Sequence, residues 1–335
     1  MELKKVNIGF IGTGRVSENH FKAIKLCRNA NLLAVSDINK DVGIKKSKKW
    51  NVFFYENAEE IINDERIDAI FILLPLEEHY SYAKKAIEHG KHVLVEKPVS
   101  LIPGEIKDLY ESAKAKKVIC MPGHSYVYLP ELKRIIEYVR SGLIKKPIYL
   151  FMSEIYRMPL ELLKLYHSPL IEVLWHAIYV IISILNIPEK INAFASCIRK
   201  EEMSNMDDQV IVNAKFGDGA LAQIFISWVI EDETSDPWTF KVKVLGEDSC
   251  INFSRKDVVN NILNNKPPWN YPLYDEMFEK EVDYFVNNCI LQNEPPLSSI
   301  EDAFYTSIIL KAVQYSILNN KVVDLKGYVR NIDES

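Results

Sequence analysis

Ile8–His20 reads IGFIGTGRVSENH. An apolar run, Val6 to Ile11, passes straight into Gly12-Thr13-Gly14-Arg15-Val16-Ser17, and a helical pattern opens behind it. The first glycine permits a tight turn. The second lets the backbone approach a pyrophosphate seated on the N-terminus of the following helix, and Ser17 fills the third small-residue slot. A plain strand-to-helix turn is the competing reading. The position after a strand, before a helix and at the start of an alternating series favours the dinucleotide fingerprint. That fingerprint calls for an acid about 20 residues on, at the end of the next strand. Asp37, in LLAVSDINK, stands there. A carboxylate at that point accepts the ribose hydroxyls and repels a 2′-phosphate, so NAD is expected ahead of NADP. Lys40 and the Lys45-Lys46 pair keep NADP open, and a helix N-cap is the other use for Asp37.

Working outward, short apolar runs alternate with helical patterns up to Pro122. Strands are expected at Val6–Ile11, Asn31–Ser36, Val52–Tyr55, Ala69–Leu74, Lys91–Val95 and Val118–Pro122. Such β-α repeats with continuous apolar strands imply a doubly wound parallel sheet covered on both faces. Past residue 123 the pattern changes. Strand patterns follow one another from Ile148 to Phe253, and KFGDGALAQI and VLGEDSCI read as hairpins. A mainly antiparallel sheet is expected, accompanied by helices Ser168–Leu185, Glu276–Cys289 and Glu301–Leu318. The expected division is a Rossmann domain over residues 1–122 and an α+β domain for substrate binding and assembly over 123–335.

The chain's 335 residues suit two domains. With 48% hydrophobic and 26% charged residues, the composition is that of a soluble globular protein. The net charge of -5, without a basic block, points away from nucleic acid. Cys27, Cys120, Cys197, Cys250 and Cys289 are dispersed and form no CxxC pair, so neither a thiolate metal site nor a redox dithiol is expected. No metal and no membrane partner are expected. The absence of a signal-like apolar segment at the start gives a cytoplasmic reading.

Three stretches in this order, IGFIGTGRVSENH, IDAIFILLPLEEHY and GKHVLVEKPVSL, resemble the Gfo/Idh/MocA oxidoreductases, and the likeness extends over nearly the whole chain. The resemblance implies a lysine beside the nicotinamide that contacts the reacting hydroxyl, which is Lys97, with Pro98 aiming the turn and Glu96 near the nicotinamide ribose. Leu74, Pro75 and His79 match the segment at the cofactor's edge, while Gly12, Thr13, Gly14, Arg15, Val16 and Asp37 form the cofactor loop. His79 is equally readable as a surface residue at a helix start. The family's Asp-x-x-x-His becomes Glu172 and His176, four apart as on one helical face. Imidazole titrates near neutrality, which suits His176 to proton transfer; a core histidine is the bland alternative. The chain departs from the family at Glu172, at Leu174 where glycine is common, and at Tyr179 where an aspartate is usual. PGHSYVYLPELKRIIEYVRSGLI resembles the interdomain segment, making His124 and Tyr126 substrate contacts, unless His124 merely caps a strand. Arg157, in EIYRMP, is a candidate anion contact or a surface strand arginine. Tyr166 and His167 are further cleft candidates.

The function these readings imply is hydride transfer between NAD(P) and a secondary alcohol or ketone of a sugar, cyclitol or nucleotide sugar. An NAD-retaining lyase or glycosidase that oxidises its substrate transiently, and a silent sugar- or NAD-sensing regulator, are the rival readings. A homodimer or homotetramer is expected, because a sheet covered by helices on one face leaves its other face to a partner.

Overall fold

The computed structural model describes residues 5–159, 163, 168–200, 207–229, 232, 240–255 and 272–326. The chain groups into two compact units. One takes the residues up to Leu129 together with Pro272–Phe304; the other takes the remainder.

The first unit is built on β1 (Val6–Ile11), α1 (Ser17–Leu26), β2 (Ala30–Ser36), α2 (Lys40–Trp50), β3 (Phe53–Tyr55), α3 (Ala58–Asn63), β4 (Ala69–Ile72), α4 (Leu76–Glu88), β5 (His92–Glu96), α5 (Pro103–Lys116) and β6 (Cys120–Gly123). Its six strands are all parallel and run in the order β3-β2-β1-β4-β5-β6. The order reverses between β1 and β4, the switch point where ligands of such sheets collect at the carboxyl ends of strands. The central strands are buried on both faces, as their unbroken apolar sequences require. Local signals fix the helix starts: Asn39 caps α2, an Asn57/Glu60 capping box opens α3, and Pro103 sits in the first turn of α5.

In the second unit, α6 (Pro130–Arg140) is followed by β7 (Pro147–Ile155), α7 (Pro169–Glu172), α8 (Leu174–Leu185), β8 (Lys190–Ser196), β9 (Gln209–Lys215), β10 (Leu221–Ser227), β11 (Phe240–Gly246) and β12 (Cys250–Arg255). With β13 (Val323–Asp324) these strands form a seven-stranded sheet in the order β12-β11-β7-β10-β9-β8-β13. Only the β7–β10 pair is parallel. Both expected hairpins form. Phe216 N donates to Ala220 O at 2.9 Å, with Gly219 at φ +92°, and Gly246 N donates to Ser249 O at 2.8 Å. Helix α8 is buried along almost its whole length and packs on β7 and β10. The opposite sheet face carries the paired row Phe194–Ile211–Phe225, with Phe194 54% exposed.

Two expectations need correction. The helix expected over Glu276–Cys289 as company for the antiparallel sheet belongs to the first unit. There α9 (Pro272–Tyr284) packs on α1 and continues as one π-helical turn to Ile290. Its apolar stripe and the π-helical turn meet α1 and the parallel sheet: Phe278 stands edge-on to His20 of α1 at 5.0 Å and Phe285 to Phe71 of β4 at 5.7 Å. Amphipathic spacing marks a buried stripe but does not say which sheet it covers. The second correction concerns Ser168–Leu185, expected as one helix. Val173, at φ -110° and ψ -44°, separates α7 from α8. Glu172 and His176 therefore do not share a continuous helical face.

Candidate active site

Gly12 lies at φ +96°, and a Cβ there would strike the Leu73 carbonyl oxygen and crowd the Leu74 side chain. Only glycine fits this turn. Gly14, by contrast, has nothing within 4 Å of a built Cβ, so its backbone faces open space as an approaching pyrophosphate requires. Arg15 is exposed and Val16 half-buried. Val16 holds the N-cap of α1 and offers no side-chain cap, which leaves that helix end to an anion. Ser17 is buried and ties its hydroxyl back to the Gly14 carbonyl at 2.5 Å.

Asp37 is fastened to this loop. Its Oδ2 accepts Thr13 N at 2.8 Å and Thr13 Oγ1 at 2.6 Å, while Oδ1 accepts Asn39 N at 2.8 Å. The N-cap of α2 is Asn39, so capping is not the role of Asp37. Two of the lysines that keep NADP open are engaged elsewhere. Lys40 pairs with Glu56 at 2.7 Å, and Lys46 pairs with Glu18. We expect Asp37→Ala to narrow the preference for NAD over NADP. Calorimetric titration of both cofactors checks this, and tighter NADP binding by the wild-type protein would contradict it.

At the ends of β4 and β5 the turns are braced by a histidine. His79 is buried and places Nε2 2.7 Å from Leu74 O and Nδ1 2.7 Å from Pro98 O. Both ring nitrogens are thus spent on the backbone, joining the Leu74-Pro75 turn to the Lys97-Pro98 turn, whose peptide bond is cis. Lys97 is half-buried, and its backbone N–H donates to Glu96 Oε2 at 3.3 Å. Glu96 Oε1 lies 2.7 Å from His20 Nε2. Burial pushes the Glu96 carboxyl up, but the His20 hydrogen bond and the charges of His20, Lys97 and His79 outweigh it and hold the group below its ordinary range. His124, buried at the end of β6, is pushed well below the usual imidazole range, chiefly by burial and further by the charge of Lys97. It is neutral at physiological pH. Tyr126, half-buried, follows in a short 3-10 turn.

In the second unit His176 is buried in the first turn of α8, beside Trp175 and one turn before Tyr179, both fully buried. Glu172 is half-buried at the end of α7. Arg157 is exposed and donates to Val229 O at 3.2 Å. Tyr166 and His167 lie outside the described residues. Among the described residues no three His, Cys, Asp or Glu side chains gather as a metal site.

Residues 6–124 match the GFO_IDH_MocA family model, described as an oxidoreductase family with an NAD-binding Rossmann fold. Over residues 6–124 the chain is similar to the Gfo/Idh/MocA oxidoreductases. Among curated relatives, it is 24% identical to myo-inositol 2-dehydrogenase of Thermotoga maritima over 97% of this chain and 100% of that one. It is 31% identical to scyllo-inositol 2-dehydrogenase (NAD(+)) of Bacillus subtilis over 43% of each chain. A solved structure of a probable dehydrogenase from Thermotoga maritima superposes with a TM-score of 0.84 at 23% identity, covering 96% of this chain and 100% of that one. The likeness of fold to that structure thus extends over both units. No helix among the described residues is long and apolar enough to cross a membrane.

Three side chains around this candidate site carry no signal of their own in the sequence. His20 reads as one more member of the buried Ser17-His20-Ala23-Ile24 stripe of α1. Ile38, beside Asp37, is fully exposed. Glu281 comes from a helix far along the chain.

Proposed function

We propose that this protein is an NAD-dependent dehydrogenase or reductase acting on the secondary alcohol of a sugar, cyclitol or nucleotide sugar. The observation that carries the reading is the pairing of an Asp37-clamped glycine loop with the braced Glu96-Lys97-Pro98 turn, both at the carboxyl edge of one parallel sheet. NAD, when bound, supplies the hydride acceptor at nicotinamide C4. In the oxidative direction Lys97 polarises the substrate oxygen and stabilises developing alkoxide charge. His176 takes the hydroxyl proton as the C–H hydride leaves, giving the ketone. Glu172 supports His176, and His124, Tyr126 and Arg157 contact the substrate. The names of the inositol dehydrogenase relatives favour a cyclitol or a closely similar sugar. The test is NADH absorbance with a panel of inositols, sugars and nucleotide sugars. Absence of NAD reduction, or of NADH oxidation with the matching ketones, across the panel counts against this substrate class.

We further propose that two copies pair through the second unit's sheet, as a homodimer or a dimer of dimers. The Phe194–Ile211–Phe225 row is apolar and incompletely covered, while the neighbouring Asn213–Gln223 hydrogen bond at 3.0 Å supplies polar matching. Sedimentation at micromolar concentration should show the dimer or tetramer, and F194E should shift it toward monomer. A wild-type monomer contradicts the proposal.

A further inference from the structure

Glu281 lies on the buried face of α9, one turn after Phe278, the residue whose ring meets His20. Its side chain is fully buried, and among the described residues neither carboxyl oxygen has a hydrogen-bond partner. Nδ1 of His20 is likewise buried without a partner among the described residues. An ionised carboxyl stripped of water and given no donor is strongly disfavoured. Beside it stands Glu96, whose charge acts on Glu281. Two carboxylates sharing one dry region do not both ionise readily.

The surroundings decide which of the two keeps the charge. Glu96 has His20 at 2.7 Å, the Lys97 N–H at 3.3 Å, and the charges of Lys97 and His79. Glu281 has none of these. Burial, and then the charge of Glu96, push its carboxyl well above the ordinary range. The titratable groups coupled to it are Glu96 from the end of β5 and Tyr128 from the turn after β6, and His20 of α1 meets Phe278 one turn earlier on α9. The Tyr128 phenol is itself raised, chiefly by burial.

We propose that Glu281 is a positioning residue: it remains a neutral carboxylic acid, so that negative charge at the end of β5 rests on Glu96 alone and Glu96 holds the Lys97 turn. The protonation of Glu281 stands independently of the catalytic reading; its positioning role rests on Lys97 being the group that serves cofactor and substrate.

The sign of the pH effect follows from the direction of the shift. Below the ordinary carboxyl range Glu281 is protonated folded or unfolded, and its contribution is fully present. As pH rises beyond that range the unfolded chain releases the proton and the folded one keeps it, so stability is lost until Glu281 ionises in the fold. Glu96, shifted the other way, stabilises above its ordinary range, so comparing variants at Glu281 separates the two.

The experiment compares the wild-type protein with E281Q and E281M, melted from about pH 5 to about pH 9. Expected is a melting temperature of E281Q that rises relative to wild type as pH increases. E281M should fold as well, since apolar replacement of an unpaired buried polar group is tolerated. A difference that stays constant with pH, or that grows in favour of wild type, overturns the proposal. So does failure of both variants to fold where wild type folds, because the charge was then needed. Calorimetric NAD titration over the same range reads positioning. Wild-type affinity should weaken by about fivefold or more relative to E281Q at the alkaline end, the scale of a modest coupling between sites. Equal pH dependence in the two proteins overturns the positioning role. If neither protein binds NAD at any pH, the cofactor reading has failed and takes the positioning role with it, while the melting series still decides the protonation of Glu281.

Discussion

We expect Lys97→Ala and His176→Ala each to lose on the order of 10²-fold or more in turnover, the scale of groups that act in the transition state. Lys97 stands at the carboxyl end of β5 on a turn that His79 and Glu96 hold from two sides. In the proposed reaction a charge so placed would meet the alkoxide without reorganising, which is where electrostatic stabilisation is largest. His176 is buried in the first turn of α8, where a proton acceptor is shielded from bulk water. NAD affinity should change little in H176A and modestly in K97A, since Lys97 also lies near the nicotinamide ribose in the proposed complex. Steady-state turnover with an identified substrate, set beside calorimetric NAD affinity, separates the two effects. Wild-type turnover in H176A removes the proton-transfer role and passes it to Tyr179, Tyr166 or His167.

Gly12→Ala and Gly14→Ala should fail in different ways. At Gly12 the new methyl group meets a backbone carbonyl in a conformation that L residues rarely adopt. Left-handed strain and overpacking together give a loss of about 2–4 kcal/mol of stability. At Gly14 the methyl group enters open space, so the fold should melt as wild type does. It occupies the path of the pyrophosphate, and NAD affinity should drop by about tenfold, or roughly 1.4 kcal/mol. Thermal melting and calorimetry on the same two variants check both halves. A G12A protein as stable as wild type contradicts the turn argument, and unchanged NAD affinity in G14A contradicts the placement of the pyrophosphate.

The parallel sheet was legible because its strands are continuous apolar runs and its glycine loop has a spacing that few other structures need. Asp37 was legible for the same reason: its distance from the loop is set by one βαβ unit. The hairpins announced themselves through Gly217-Asp218-Gly219 and Gly246. What escaped was whatever depends on distant contacts. The interruption at Val173 occurs within an apolar stretch whose periodicity looks unbroken. His79 appears from sequence as either a cofactor contact or a surface residue, and its use as a two-sided brace emerges only when the turns after β4 and β5 lie side by side. Glu281 looks like an ordinary polar residue on an amphipathic helix, because nothing local tells that its face will be dry.

The attachment of α9 to α1 also bears on the order in which the protein is made. The ribosome releases β1 to β6 first, then the strands of the antiparallel sheet, and only afterwards the segment beginning at Pro272. Domains generally fold as units while synthesis proceeds. Here the unit that starts first is completed late, since the rings of Phe278 and Phe285 cover His20 and Phe71 only once they emerge. During that interval the nascent parallel sheet presents an uncovered aromatic face. A fragment cut after residue 129 would retain that exposed surface permanently.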